Sequence, residues 1–336
     1  MSRYAEAHVS PKGPGDARPT ALQIVQDEGM TDKLKGKAIV VTGVSSGLGI
    51  ETVRALSITG ASFYLTARDL TKAKNALGDI FEPSRMKLVE MDQTSLKSVR
   101  AAAKTILADT DKISILVNNA GVMAIPDLQL SQDGHEMQFA VNHLSHFLFF
   151  QLLKPALLAG STPEFASRVV NVSSSSHRLH GILASDNYDF QKGDYDRWIS
   201  YGQSKTANVY MASQIERLYG ARGLHGLSVH PGGIATGLTR YFSEEDMKAM
   251  MASVGPEVLQ GMKSPEQGAA TQVWAAIAKE WEGKGGKYLV DVAVAKPGPD
   301  DRDMTSPFTA SHTYNAEEEA RLWKDSLKIV GLEDDE

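Results

Sequence analysis

The stretch Thr42-Gly43-Val44-Ser45-Ser46-Gly47-Leu48-Gly49 joins an apolar run, Ala38–Thr42, to a segment of helical periodicity, Ile50–Thr59. Glycine has a mechanical reason at each of its three positions here. Gly43 lets the backbone turn sharply at a strand end, Gly47 lets a pyrophosphate approach the main chain, and Gly49 lets the helix pack tightly on the strand. That helix would offer free N–H groups and a partial positive charge to phosphate. The pattern is G-x-x-x-G-x-G rather than G-x-G-x-x-G, and no Gly-Lys-Ser/Thr follows, which excludes a Walker A loop. Gly43 to Gly47 also spells G-x-S-x-G, the nucleophile elbow of α/β-hydrolases, which would make Ser45 a nucleophile with Asp291 and His312 as nominal partners. Such an elbow normally has several strands before it, whereas this one follows the first clear strand of the chain. A glycine-rich turn without a ligand is the third reading.

Outward from this turn the chain alternates. Strand-like runs lie at Ser62–Thr66, Lys87–Met91, Ile113–Val117, Arg168–Val172, Gly226–His230 and Lys287–Val294, with helical segments such as Ser95–Leu107 between them. This alternation predicts an α/β fold, a single doubly wound parallel sheet with helices on both faces. The near-continuous Ile, Val and Leu content of several strands agrees with burial on both sides. Residues 1–36, punctuated by Pro11, Gly13, Pro14, Gly15 and Pro19, read as an irregular arm with one short helix at Ala21–Asp27. Residues 37–300 form the main domain. Residues 301–336 form a C-terminal extension that ends in the acidic run Glu333–Glu336.

Of 336 residues, 42% are hydrophobic and 23% charged, which excludes wholesale disorder and a collagen-like or coiled-coil chain. The 35 basic and 41 acidic side chains leave a net charge of −6, which argues against a nucleic-acid partner bound through its phosphates. With no Cys, disulfides, thiol catalysis, Cys-zinc sites and iron–sulfur clusters are excluded. The richest apolar run, Phe147–Leu153, stops at Lys154-Pro155, far short of the ~20 residues a membrane span needs. The first residues hold no apolar signal run, so a cytoplasmic location without a membrane anchor is expected. His143 and His146 lie three apart on a helix but lack a third ligand, and no metal site is expected.

Tyr201-Gly202-Gln203-Ser204-Lys205 opens a segment of helical periodicity that continues through Thr206–Leu218. Positions four apart share a helix face, so the phenol and the ammonium can enter one cleft. A phenol with a pKa near ~10 is a poor acid at neutral pH, and a nearby cation lowers that value. A surface Tyr and Lys at this spacing is the plain alternative. The pair has company, however. In order along the chain come Asn118-Asn119-Ala120-Gly121 after a strand, Asn142 in a helix, Val170-Asn171-Val172-Ser173-Ser174 ending a strand, and Pro231-Gly232-Gly233-Ile234-Ala235-Thr236 after another. With these motifs the chain, from Lys37 to Ala295, resembles the short-chain dehydrogenase/reductase superfamily and its Rossmann-type fold. The gap between Ser174 and Tyr201, with Ala207-Asn208-Val209 after Lys205, resembles the branch of retinol dehydrogenases, the WW-domain oxidoreductase and carbonyl reductase-like members. The opening Asp16–Gln23 resembles arms on fungal members of that branch.

The resemblance implies an NADP(H)-dependent oxidoreductase that interconverts a ketone or aldehyde and an alcohol. Tyr201 would be the general acid in reduction and the base in reverse, and Lys205 would lower its pKa and hold the nicotinamide ribose. Ser174 would polarise the substrate oxygen, and Asn142 would fix a water that relays protons to Lys205. Within the run Ser173–Ser176 an offset of one from Ser174 stays open. The cofactor would meet Gly43, Ser45, Ser46, Gly47, Leu48 and Gly49, then Asp92 at the adenine with Gln93. Beyond these it would meet Asn118, Asn119, Ala120 and Gly121, and then Pro231, Gly232, Ile234 and Thr236 beside Tyr201 and Lys205. Where an NAD site carries an acid at the end of the second strand, Thr66-Ala67-Arg68-Asp69 places Arg68, whose planar fork can clamp a 2′-phosphate. Residues 237–263 would form a substrate lid, and Tyr241, Phe242, Met247, Met250, Met251 and Met262 suit a lipophilic carbonyl compound. An amphipathic helix packed on the core explains the same residues. Relatives dimerise through the helix holding Phe147–Leu153 and the one holding Tyr201, so a homodimer or homotetramer is expected. A dinucleotide-binding protein without catalysis stays open beside the hydrolase.

Overall fold

Residues 2–253 and 255–333 are described by the computed structural model; the Met250 and Met251 side chains of the expected lid and residues 334–336 of the acidic tail lie outside the described residues. After the arm, α1 (Ala21–Asp27) leads into β1 (Ala38–Thr42), α2 (Leu48–Ser57), β2 (Ser62–Ala67), α3 (Leu70–Leu77), β3 (Met86–Glu90), α4 (Leu96–Leu107) and β4 (Ile115–Asn118). Then α5 (Met137–Phe139) runs through a π turn (Ala140–Leu144) into α6 (Ser145–Gly160), followed by β5 (Ser167–Val172), α7 (Arg197–Tyr219) and β6 (Leu224–His230). Four helices, α8 (Glu244–Ser253), α9 (Pro256–Gly261), α10 (Pro265–Gly268) and α11 (Ala270–Ile277), precede β7 (Lys287–Val290), β8 (Ala293–Val294) and α12 (Ala316–Ile329).

The strands form one sheet in the order β3-β2-β1-β4-β5-β6-β7-β8. All neighbours are parallel except β7 and β8. Alternate residues of a strand feed opposite cores, because successive Cβ atoms point to opposite faces. Ile39 and Val41 of β1 join Phe63, Ile115 and the α11 residues Val273 and Ile277 on one face. Val40 joins Leu116, Phe147 and Tyr210 on the other. Buried on both sides, the strands read as unbroken apolar runs. The chain order reverses between β1 and β4, and in such sheets the ligand crevice opens beyond the carboxyl ends of the strands at that point.

One expected element divides. The run Lys287–Val294 is not a single strand but a hairpin, with Val290 opposite Ala293 and Asp291-Val292 as its two-residue loop. Both loop residues have positive φ, 54° each, a conformation for which Asn and Gly are the usual signals. Neither is present. Tertiary contacts hold the turn instead: Asp291 is ion-paired with Lys263 at 2.7 Å, and the Val292 N–H donates to Thr271 Oγ1 at 3.3 Å.

Both ends of the chain are packed against the sheet layers. Tyr4, Ala21, Ile24 and Val25 of the arm are buried with α11. On the opposite face, Trp323 of α12 stands edge-on to Phe147 with ring centres 4.9 Å apart, and His143 Nε2 meets Ser326 Oγ at 2.9 Å. Much of the α6 and α7 surface expected to meet a second copy is thus covered by the chain's own α12. Among the described residues no helix is long and apolar enough to cross a membrane.

Candidate active site

The glycine turn is stitched to the segment after β4. Gly43 has φ of +75°, and a Cβ there would sit 2.7 Å from Ala120 Cβ. Thr42 Oγ1 accepts the N–H groups of Asn119 at 2.9 Å and Ala120 at 3.0 Å, while Asn119 Nδ2 donates to the carbonyls of Thr42 and Gly43. A Cβ on Gly49 would lie 2.3 Å from the Gly43 carbonyl oxygen, so the third glycine is there for close packing. Gly47 starts α2 with no side-chain cap, leaving the first N–H groups of that helix without a side-chain acceptor. Thr236 lies opposite Gly47, and Ile234 and Leu48 converge over Gly268. Ser45 is half-buried in the turn and Ser46 exposed.

Tyr201 and Lys205 stand one turn apart on α7, 3% and 4% exposed. The N-terminus of this helix is set by Asp196, which accepts from Trp198 and Ile199 N–H at 2.7 and 2.8 Å. Lys205 Nζ donates to the Val172 carbonyl at 3.1 Å and lies 5.5 Å from the Tyr201 ring centre. Asn142 sits in the π turn with no exposed surface. Its Oδ1 accepts from Val122 N–H at 2.9 Å, and its Nδ2 donates to the Val122 carbonyl and to Ser204 Oγ. Gly121, beside it, presents its backbone to both Asn142 and Lys205 Nζ.

The four serines differ in what they meet. Ser173 Oγ donates into α7, to the Lys205 carbonyl at 2.7 Å, and is committed there. The Ser174 hydroxyl is the one beside the Tyr201 phenol. The electrostatics differ from expectation. Burial pushes the Tyr201 phenol up to about 12, only partly offset by Ser174, and no lowering by Lys205 is evident. Burial likewise brings the Lys205 ammonium down to about 8. Desolvation outweighs the cation because both groups are enclosed and the ammonium faces the Val172 carbonyl.

Other expected cofactor residues lie at or just after strand ends. Asn118, the last residue of β4, is 1% exposed, and its Nδ2 donates to Asn171 Oδ1 at 2.8 Å across β4 and β5. Gln93 turns inward, its Nε2 meeting Ser145 Oγ and His146 Nε2. Asp92 begins a turn, accepting from the Thr94 N–H and hydroxyl. Arg68 is exposed at the end of β2 and has no acidic partner among the described residues, while Asp69 caps α3. The elbow's partners do not assemble. Asp291 pairs with Lys263, and His312 Nε2 meets the His177 carbonyl at 2.7 Å.

The lid region comprises a 3-10 turn at Gly237–Tyr241 with α8 and α9. It reaches α7 through the Arg197–Asp246 ion pair and the edge-on rings of Trp198 and Phe242. Tyr241 packs on a small cluster of Val122, Ile125 and Val141. Three further participants escaped sequence reasoning. Ser204 was visible inside the Tyr201–Lys205 motif but had no assigned partner. Lys263 and the C-terminal segment carried no local signal. That segment is fastened by buried Arg178, which donates to the carbonyls of Pro299, Asp303 and Thr309, and it brings Met304 Sδ within 3.4 Å of Ser176 Oγ.

A crevice of this kind, with a tyrosine–lysine helix beside an uncapped glycine turn, defines a dinucleotide-fold oxidoreductase site. Residues 37–247 match the family described as "short chain dehydrogenase", and the chain belongs to the short-chain dehydrogenase/reductase family. It is 48% identical over 330 residues to the short-chain dehydrogenase/reductase prx1 of Penicillium roqueforti, covering 98% of this chain and 95% of that one. It is 34% identical to human retinol dehydrogenase 13 over 303 residues, 89% and 86% of the two chains. Among solved structures, an uncharacterised protein from Mycobacterium paratuberculosis superposes with a TM-score of 0.68 at 27% identity, over 94% of this chain and 99% of the other.

Proposed function

We propose that the protein is an NADP(H)-dependent oxidoreductase that interconverts a lipophilic ketone or aldehyde with its alcohol. The observation that carries this reading is the convergence of Asn142, Ser174, Tyr201 and Lys205, from three separate elements, on the crevice beside the glycine turn. The residues fit a dinucleotide. The uncapped start of α2 suits its pyrophosphate, and Lys205 Nζ, which donates to a single carbonyl among the described residues, has N–H bonds left for ribose hydroxyls. Exposed Arg68, without an acidic partner among the described residues, suits a 2′-phosphate. When bound, NADP(H) supplies or accepts the hydride.

The chain's own residues do the rest. The Ser174 hydroxyl donates to the substrate carbonyl oxygen and polarises it, and the Tyr201 phenol transfers its proton there. The Lys205 ammonium, held on the Val172 carbonyl, turns its remaining N–H bonds to the ribose hydroxyls. Both polar ends of the Asn142 side chain are committed to Val122 and Ser204, so any relay water would meet its main chain. The side chain instead locks the Gly121-Val122 turn against α7. The cluster of Val122, Ile125, Val141 and Tyr241 favours an apolar substrate, in keeping with a relative named as a retinol dehydrogenase. A dimer through α6 and α7 would have to accommodate α12, whose Trp323 stands against Phe147 of α6.

The test is NADPH consumption across a panel of lipophilic aldehydes and ketones, repeated with NADH. Turnover with a clear NADPH preference is expected. Arg68→Ala should reduce that preference at least about tenfold, the worth of one charged hydrogen bond. A protein that binds NADPH yet reduces nothing would be the non-catalytic binder instead. A preference unmoved by Arg68→Ala would defeat the cofactor assignment.

A further inference from the structure

Arg18 is 4% exposed although it lies in the N-terminal arm. Its Nε donates to Asp16 Oδ1 at 2.8 Å and its Nη1 to the Gly261 carbonyl at 2.7 Å. Its Nη2 reaches the carbonyls of Gly13, Gln260 and Met262 at 3.1, 3.4 and 2.6 Å. Gln267 closes the knot: its Nε2 donates to the Asp16 and Arg18 carbonyls, and its Oε1 accepts from Gly15 N–H. The carbonyls that Arg18 gathers at 260–262 are the end of α9, where the lid returns to the body.

The next residue carries the connection inward. Lys263 N–H donates to the Gly233 carbonyl at 2.8 Å, and Lys263 Nζ donates to the Pro231 carbonyl at 3.2 Å and to Asp291 Oδ1 at 2.7 Å. The Lys263 side chain lies over Gly232, where a Cβ would come within 2.9 Å of it. A continuous string of hydrogen bonds therefore runs from the arm through the lid base to the stretch Pro231–Thr236.

We propose that Arg18 is a positioning residue of the active site: it latches the base of the lid and, through Lys263, sets the Pro231–Thr236 stretch on the nicotinamide side of the crevice. The cofactor part of this inference rests on the dinucleotide reading above. A guanidinium is needed because one planar fork serves four carbonyls and a carboxylate from fixed directions; an ammonium keeps the charge and loses the fork.

The full chain carrying Arg18→Lys decides it, with Tyr4→Phe as control, since Tyr4 donates to Asp27 Oδ2 at 2.9 Å elsewhere in the arm. Hydrogen exchange is followed at the Lys263 amide without cofactor, and NADPH is titrated by its fluorescence. In Arg18→Lys, Lys263 exchange should quicken about tenfold. The NADPH Kd should rise about tenfold, which is ~1.4 kcal/mol. The kcat at saturation should stay within about twofold. Tyr4→Phe should lower Tm and leave exchange and Kd alone. Unchanged Lys263 exchange in Arg18→Lys, or an equal change in Tyr4→Phe, overturns the latch. If the unaltered protein binds no NADPH, the dinucleotide reading fails, and the exchange comparison still decides whether Arg18 latches the lid.

Discussion

The floor of the crevice and the segment proposed as its lid are held by different means. On the floor, Asn142, Ser173, Tyr201 and Lys205 are nearly or wholly buried; Asn142, Ser173 and Lys205 hydrogen-bond neighbouring elements, and Tyr201 meets Ser174. In the lid, neither the Gly237–Tyr241 turn nor α9 buries a side chain. What holds it is the Arg197–Asp246 pair, the Trp198–Phe242 contact, the packing of Tyr241 on Val122, Ile125 and Val141, and the pins at its base. An element with few buried contacts opens at little free-energy cost, whereas a buried network resists displacement. The floor is therefore suited to chemistry that tolerates no misplacement, and the lid to admitting a bulky apolar molecule.

This contrast can be broken most forcefully at the floor. Tyr201→Phe removes one hydroxyl and should lower kcat for carbonyl reduction about a thousandfold, with NADPH affinity nearly unchanged. A residual rate near that of the unaltered protein would remove the phenol from the mechanism. The pH profile gives the next effect. With the phenol raised to about 12, it stays protonated throughout the working range, so it should not limit reduction. The Lys205 ammonium, brought down to about 8, is charged below that value and neutral above it. Reduction should accordingly be flat below pH 8 and fall above it, as the cation offered to the nicotinamide ribose is lost. A limb near pH 6 instead would implicate a histidine. The smallest effect belongs to the lid. Arg197→Ala should raise the substrate KM only about threefold and leave kcat and the pH profile in place, because a partly exposed ion pair contributes little. A loss of kcat equal to that of a floor variant would erase the distinction.

Local patterns carried much of the fold. The strand runs and the glycine turn were legible to within a residue or two because alternation and turn chemistry are short-range properties. The hairpin at Asp291-Val292 was not, since its positive φ angles come from Lys263 and Thr271 rather than from turn residues. The structure brings Tyr201, Lys205, Asn142 and Ser174 together as their order along the chain suggested, while the different partners of Asn118 and Asn119 were not legible. Asn118 ends β4 and pairs across the sheet with Asn171, whereas Asn119, just past the strand, turns to the glycine loop, and those partners come from distant parts of the chain.

Helical and strand periods, the spacing of Tyr201 and Lys205 on one helix face, and an arginine at the end of β2 are fixed once the order of residues is known. Which of four serines meets the phenol, whether burial or a cation governs its acidity, and what use an arginine near the chain's start finds were decided by folding. These depend on groups brought together from opposite ends of the chain, and on how much water is left between them.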